Sequence, residues 1–211
     1  MTPFYTTLCL WVGILLLTSL LTTEVHVHHH EVEGEGAVDD DDYYKPYQVY
    51  LGRGLTFLSI ALIQALIVSL GDIFLLKVKM DNPFLFVIIS LFVGTVFNFI
   101  VYSLVSIFGN IGKAVGVILL VLQVAGSGGT FPIQVTPKFF QMIYPFLPFT
   151  YGISAMREAI GGVYMPNLSR DISVLAIFLI ASIVINIFLK APINRLFHKF
   201  ISKLECSRLT E

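Results

Sequence analysis

Charged side chains are scarce in this sequence. Asp, Glu, Lys and Arg make up 13% of its 211 residues, whereas hydrophobic residues make up 56%. A typical soluble domain carries a charged fraction of about 25%. The mean hydropathy of +0.83 points the same way. These values exclude an ordinary water-soluble domain and predict the lipid bilayer as solvent and partner. The formal net charge of −1 gives no reason to expect nucleic acid as a partner.

The motifs of common catalytic sites are also missing. A nucleotide-binding P-loop needs Lys and Ser or Thr directly after its last glycine, and no glycine-rich stretch of this chain provides them. The apolar runs contain no paired aspartates, no Ser and His pair and no His-Glu metal motif. We therefore expect no catalytic residue, no cofactor and no ATP hydrolysis by the chain itself.

Cysteine is nearly absent. Cys9 lies in the first apolar run and Cys206 in a basic tail, so we expect two free thiols rather than a disulfide. The segment 24–53 contains four of the five histidines and many carboxylates, but no cysteine, and it matches no structural zinc pattern. A solvated loop is the favoured interpretation, weak divalent-metal binding is the alternative, and we assign no metal site.

Long apolar runs dominate the chain. Five of them approach or exceed the roughly 20 residues that a helix needs to cross a bilayer, at 3–22, 55–76, 83–108, 111–133 and 172–189. The first has no Lys or Arg before it and no small-residue cleavage site after it, so we expect a retained helix rather than a secretory signal. Continuous apolar runs argue against a β-barrel, whose strands alternate apolar and polar residues. The predicted fold is an all-α membrane protein with about five transmembrane helices.

The distribution of basic residues predicts the orientation of these helices. With the amino terminus outside, the cytoplasmic segments would hold Lys45, Arg53, Lys113, Lys190, Arg195, Lys199, Lys203 and Arg208. The outer segments would hold Lys77, Lys79, Lys138, Arg157 and Arg170. Because cytoplasmic segments are enriched in Lys and Arg, we expect the amino terminus outside the cell membrane and the carboxyl terminus in the cytoplasm.

The segment 134–170, between the fourth and fifth runs, is too polar to cross the membrane and is interrupted by prolines and glycines. Residues 138–144 and 149–156 each follow a proline and predict two short helices. Aromatic residues in both suit a re-entrant hairpin in the outer leaflet. An amphipathic hairpin lying flat on the surface is the alternative.

Apolar residues recur at helical spacing in the tail 191–211, flanked by Lys and Arg. This pattern predicts a basic amphipathic helix, either on the anionic inner leaflet or against a partner subunit.

Polar and small residues inside the runs give the candidate site. Gln64 and Gln123 lie deep in the second and fourth runs, where each would line a pathway or, by the interpretation we prefer, hydrogen-bond between helices. Asp72 would anchor its helix at the solvated outer end. Small residues and a proline late in the fourth run permit close packing or local unwinding, and they are Gly126, Gly128, Gly129 and Pro132.

Residues 126–162 resemble the carboxyl-terminal membrane region of the phage infection protein (YhgE/Pip) family of Gram-positive bacteria. That region is itself similar to type-2 ABC exporter permeases, which have a Phe-Pro stretch, two short outer helices, an Arg and a last spanning helix. The residues that occupy those places in this sequence are Phe131, Pro132, Pro137, Pro148 and Arg157. The resemblance extends over about 1–190.

This resemblance implies a permease-like membrane domain over 1–190 that is dimeric and transports or exports an envelope-related substrate. A separate ATPase subunit would supply energy, docking at the segment 24–53 and the turn 109–113 by analogy. Full-length members are similar in having an earlier spanning helix and a large extracellular region, so we expect this chain to be a fragment or truncated product. The alternative is a membrane anchor or phage receptor component that transports nothing.

Overall fold

The computed structural model describes the backbone of residues 1–21 and 46–208 and the side chains of residues 1–21, 48 and 50–188. Most of the histidine-rich segment 24–53 therefore lies outside the described residues. The described helices are α1 Thr2–Leu20, α2 Pro46–Phe74, α3 Pro83–Phe108, α4 Asn110–Gly126, α5 Lys138–Ile143, α6 Pro148–Gly161 and α7 Met165–Arg208. Short 3₁₀ turns cover Ile133–Val135 and Tyr144–Phe146. No strand occurs in these ranges.

Four of the helices are long and apolar enough to cross a membrane, namely α1, α2, α3 and the part of α7 at Met165–Phe188. The apolar helix α4 has 17 residues, which corresponds to about 25 Å at 1.5 Å per residue and falls just short of a full crossing. The chain is an all-α membrane protein, as the apolar runs predicted.

Several helix boundaries differ from the predicted ones. Helix α4 ends at Gly126 rather than at residue 133, because Gly128 takes a positive φ of 66° that ends the helical path. Helix α2 begins at Pro46 instead of 55. Helix α7 begins at Met165, so the last residues of the predicted hairpin segment 134–170 belong to α7. Hydropathy detects only the apolar part of a helix, and both α2 and α7 continue into polar sequence.

The backbone of the tail 191–211 is described as far as Arg208. Up to that residue it is a continuation of α7, which runs without interruption from Met165 to Arg208, and not a separate helix. The 44 residues of α7 span about 66 Å, roughly twice the thickness of a bilayer core. The side chains beyond residue 188 are outside the described residues. The amphipathic surface of the tail therefore stays a prediction.

The long helices α1, α2, α3, α4 and α7 alternate in direction. We call the end of the bundle that contains Thr6, Asp72 and Gln123 the hairpin end, because α5 and α6 lie there. The opposite end, which contains Tyr50 and Ser103, is the tail end. The Thr6 hydroxyl donates to the Asp72 carboxylate at 2.5 Å, and the Tyr50 and Ser103 hydroxyls lie 2.8 Å apart. These contacts place the start of α1 beside the end of α2, and the start of α2 beside the end of α3.

Helix α3 is the centre of the fold and contacts α1, α2, α4, α6 and α7. Its Phe97 packs edge-on against Trp11 of α1 and stacks on Phe149 of α6, with ring centroids 5.1 and 5.2 Å apart. All three rings are fully buried. Aromatic pairs of this geometry add stability beyond their buried area. The short helix α6 is thus part of the core of the bundle rather than a surface appendage.

Candidate functional site: the junction of α4 with the helical hairpin

The end of α4 is built from glycines that allow very close packing. A Cβ atom on Gly126 would lie 2.8 Å from Leu147 Cδ1, and one on Gly129 would collide with the Phe4 ring of α1. Both glycines are buried. Gly128 lies between them in the left-handed region that favours glycine. The sequence Gly-Ser-Gly-Gly therefore brings the hairpin and the start of α1 against the end of α4.

Gln123 joins α4 to α6 by a buried hydrogen bond. The Phe149 amide donates to Gln123 Oε1 at 3.3 Å, and Gln123 is 1% exposed. Phe149 follows Pro148, the first residue of α6, and the residue before the helix offers no side-chain cap. The first amides of a helix have no partner within the helix. Gln123 of the neighbouring helix α4 supplies a partner for the Phe149 amide. The buried Pro148 needs no partner, because it has no amide hydrogen.

Arg157 joins the same two elements from the solvent-facing side. Its Nη2 atom donates to the carbonyl oxygens of Gly128 and Gly129 at 3.2 and 3.3 Å. A guanidinium group on these carbonyls, which follow the last residue of α4, supplies them with a hydrogen-bond donor and places positive charge where the helix dipole favours it. The adjacent Glu158 faces elsewhere and accepts the Tyr164 amide at 2.7 Å. The Arg of the predicted pattern is therefore a bracing residue between α4 and α6.

Pro132 leads into an exposed part of the hairpin. It precedes the 3₁₀ turn Ile133–Val135, whose Ile133 carbonyl accepts the Thr136 hydroxyl at 2.7 Å. Large apolar side chains on this part of the hairpin are exposed, namely Phe131, Val135, Phe139, Met142 and Phe146. Exposed aromatic and aliphatic groups at one end of a membrane bundle suit the interface between headgroups and acyl chains.

Gln64 lies apart from this junction. Its Nε2 atom donates to the carbonyl oxygens of Cys9 and Leu10 at 3.1 and 3.4 Å. The amide lies against Gly13, where any Cβ would overlap it. Gln64 therefore links α1 to α2, whereas Gln123, the glycines, Pro148 and Arg157 meet at the end of α4.

Several polar residues differ from expectation or were not anticipated. Asp72 was expected at a solvated helix end, but it is 8% exposed and accepts the Thr6 hydroxyl. Asp171 is fully buried, and its Oδ1 pairs with Arg170 at 3.1 Å. Asn186 is also fully buried and donates to the Ser103 carbonyl at 3.2 Å. The sequence carried a signal for Asn186, because an amide side chain stands out within the last apolar run. Burial of Asp72 and Asp171 depends on neighbours that the sequence does not identify.

The described residues contain no cluster of metal-ligand side chains. No group of three or more His, Cys, Asp or Glu side chains in them could hold a metal ion. The junction is built from backbone carbonyls, one amide side chain, one guanidinium and tightly packed glycines. Such an arrangement fixes the geometry between helices.

Comparison with known proteins supplies the family. A model of the ABC-2 family transporter protein matches residues 43–188, well over half of the chain. The chain belongs to the ABC-2 transporter family. It is also 29% identical over 160 residues, 76% of its own length, to the uncharacterized protein YhgE of Bacillus subtilis (strain 168). The resemblance based on residues 126–162 is thereby confirmed. The matched region spans 19% of that relative.

Membership of the ABC-2 family and the apolar helices together identify a multi-pass membrane protein. The match covers α2 to α6 and the spanning part of α7. The junction of α4 with the hairpin therefore lies entirely within the region that the ABC-2 family shares.

Proposed function

We propose that the chain is the permease-like part of an exporter for an envelope-related substrate and that a separate ATPase subunit drives it. Family membership over residues 43–188 is the observation that carries this proposal. The fold supports it, because the bundle offers a rigid frame in which α3 contacts five other helices. We further propose a homodimer with the amino terminus outside and the carboxyl terminus in the cytoplasm.

Gln64 and Gln123 have packing roles in this proposal. Each already engages backbone groups of a neighbouring helix. In a bilayer such hydrogen bonds hold helices together, and a side chain occupied in this way is not available to a passing substrate. A pathway between two copies of the chain is more consistent with these contacts than one through a single bundle.

The tail end is where we propose that the ATPase docks. The turn between α3 and α4 lies there, and a Cβ at Gly112 would collide with the Leu104 carbonyl oxygen. Because backbone is pressed against backbone, a force applied to this turn would reach α3 and α4 together. Asn110, at the turn, is exposed and able to touch a partner.

Copurification from native membranes tests this proposal. The tagged full-length protein, extracted in mild detergent, should bring down an ATPase subunit in near-stoichiometric amount. Asn110→Arg, at the tail end, should reduce that recovery severalfold. Lys138→Glu, an exposed change at the hairpin end, should leave it unchanged. Normal recovery with Asn110→Arg would show that the turn is not the docking surface.

A membrane anchor or phage receptor component is the second candidate. It is favoured by the length of the YhgE relative, of which the matched region covers 19%. An anchor would not copurify with an ATPase under any condition. Its function would require only that the chain inserts into the membrane. Absence of an ATPase from native extracts that still contain the intact protein would favour this candidate over the permease.

A further inference from the structure

An open apolar groove separates α1 from α4 near the tail end of the bundle. It has a volume of about 240 Å³. Its lining is almost entirely aliphatic, with Val12, Leu15 and Leu16 on α1 and Val117 and Leu120 on α4. Leu16 is 59% exposed and Val117 is 51% exposed. The groove therefore opens sideways, toward the space that acyl chains fill in a bilayer.

The mouth of the groove is polar. Lys113 and Ser19 complete the lining at the tail end, one near the start of α4 and the other near the end of α1. The Ser19 hydroxyl donates to the Leu15 carbonyl at 3.0 Å, so its oxygen remains free to accept. Lys113 is half-buried and forms no ion pair with any acidic side chain in the described ranges. A cation at the edge of an apolar groove favours an anion beside it.

Helix geometry sets the direction of the groove. From Lys113 to Leu120 the α4 axis rises about 10 Å at 1.5 Å per residue, and the rise from Ser19 back to Val12 is similar. Lys113 and Ser19 lie within one turn of the ends of their helices, which is the level expected for a bilayer surface, and the aliphatic lining runs from there toward the middle of the bundle. This is the arrangement of a phospholipid, whose charged headgroup is followed by an apolar chain.

We propose that this groove binds one anionic phospholipid, with an acyl chain along Leu16, Val117 and Leu120 and the phosphate beside Lys113. The Ser19 oxygen can accept a hydrogen bond from a hydroxyl group of a glycerol headgroup. Because all acyl chains are equally apolar, packing alone would not select among lipids. The charge of Lys113 supplies the selection for an anionic headgroup over a zwitterionic one. The site is independent of the proposed transport function, and only its assignment to the inner leaflet depends on the proposed orientation.

Trp11 provides a probe at this site. It is the only tryptophan of the chain, and its indole Nε1 donates to the Gly116 carbonyl at 3.3 Å, between α1 and α4. Val12 and Val117, the residues that follow Trp11 and Gly116, both line the groove. A lipid brominated near the middle of its acyl chain should therefore quench Trp11 fluorescence when it occupies the groove.

The experiment compares brominated phosphatidylglycerol with brominated phosphatidylcholine, each titrated into phosphatidylcholine vesicles that hold the purified chain. We expect Trp11 to be quenched at roughly fivefold lower mole fraction of the anionic lipid, the preference that one lysine near a membrane surface confers. High salt should reduce this preference. Lys113→Gln should abolish it, and Lys138→Gln, at the hairpin end, should preserve it. An unchanged emission maximum would show that each variant retains the Trp11 environment.

Two results would overturn the proposal. Equal quenching of the unmodified chain by both lipids would mean that Lys113 pairs with another anion, such as a carboxylate of this chain. A preference for the anionic lipid that persists in Lys113→Gln would place the anionic site elsewhere. Neither result would bear on ATPase copurification, so failure of this site and failure of the proposed transport function are distinguishable.

Discussion

Polar side chains within the apolar helices of this bundle differ in the partners that they find. Gln64 and Gln123 hydrogen-bond to the backbone of neighbouring helices, and Asn186 donates to the Ser103 carbonyl. Asn98 is also fully buried, yet neither of its polar side-chain atoms has a hydrogen-bond partner in the described residues. A polar group without a partner is costly in an apolar interior. Gln64 Nε2, Gln123 Oε1 and Asn186 Nδ2 each join two helices. Asn186 Oδ1 and both polar atoms of Asn98 have no partner among the described residues.

Replacement of Gln123 by Leu tests its role at the junction. The change keeps the volume but leaves the Phe149 amide buried without an acceptor. We expect a loss of about 1–2 kcal/mol in the free energy of unfolding, within the range for an unsatisfied buried donor. The unfolding midpoint in detergent, followed by Trp11 fluorescence, measures it. The ring of Trp11 contacts that of Phe149 at 5.6 Å, so the probe reports on this junction.

Gln134→Leu is the matched control, because Gln134 is exposed on the hairpin. Its unfolding midpoint should stay close to that of the unmodified chain. Equal midpoints for Gln123→Leu and Gln134→Leu would show that the buried hydrogen bond contributes nothing measurable to stability.

The sequence identified the polar residues of the spans but not their partners. Gln123 could be recognised as a buried amide because its neighbours are apolar. Its acceptor role depends on the position of Pro148, which lies far along the chain and reaches α4 only through the folded hairpin. The solvated position expected for Asp72 was wrong for the same reason, since Thr6 and the start of α1 cover it. Long-range packing decides these environments, and no local pattern encodes it.

At the scale of whole elements, the turn between α3 and α4 is the tightest connection between long helices in the described ranges. Gly109 takes a positive φ of 57°, and Gly112 packs on the backbone of Leu104 and Val105. The positive φ at Gly109 is a conformation that favours glycine, and the close backbone contact at Gly112 leaves no room for a larger side chain. Glycine at these positions sets how closely α4 follows α3.

Gly112→Ala should therefore destabilise the bundle. Its Cβ would collide with the Leu104 carbonyl oxygen, and backbone atoms cannot rotate away as side chains do. We expect a loss of about 1–3 kcal/mol or more, the range for overpacked cores. The apparent unfolding temperature in detergent measures it.

Gly52→Ala provides the opposite test within α2. A Cβ at Gly52 meets nothing within 4 Å, and alanine favours the helix over glycine by about 1 kcal/mol. Its unfolding temperature should be equal to or higher than that of the unmodified chain. If both alanine variants lowered the unfolding temperature equally, close packing at Gly112 would not be the cause.

The apolar runs predicted the existence of the helices better than their ends. Helix α3 has the predicted bounds, because Pro83 begins it and Gly109 follows its last residue. Helix α4 stops early, because Gly128 requires a backbone conformation that hydropathy does not register. The two short helices after it were predicted from the prolines that start them. The burial of the second one, α6, against α3 was not predicted, since Phe149 and Ile153 are as apolar as lipid-facing residues would be.

At the scale of the whole molecule, the two ends of the bundle are chemically different. The hairpin end presents exposed apolar groups such as Phe139 and Phe146. The tail end contains Lys113, and α7 extends from it toward a carboxyl-terminal sequence rich in Lys and Arg. Cytoplasmic segments of membrane proteins carry an excess of Lys and Arg, and the predicted distribution puts eight of them on the tail-end side against five on the hairpin-end side. This asymmetry supports the proposed orientation with the tail end inside.

Single cysteines at the two ends test this orientation. In a Cys9→Ala and Cys206→Ala background, Lys138→Cys lies at the hairpin end and Asn110→Cys at the tail end, and both positions are exposed. A maleimide that cannot cross membranes should label Lys138→Cys in intact cells. Asn110→Cys should be labelled only after permeabilisation, because about 30 Å of hydrocarbon separates it from the reagent. Labelling of Asn110→Cys in intact cells, with Lys138→Cys protected, would invert the bundle and place the ATPase surface at the hairpin end. Labelling of both would show that the intervening helices do not cross the bilayer.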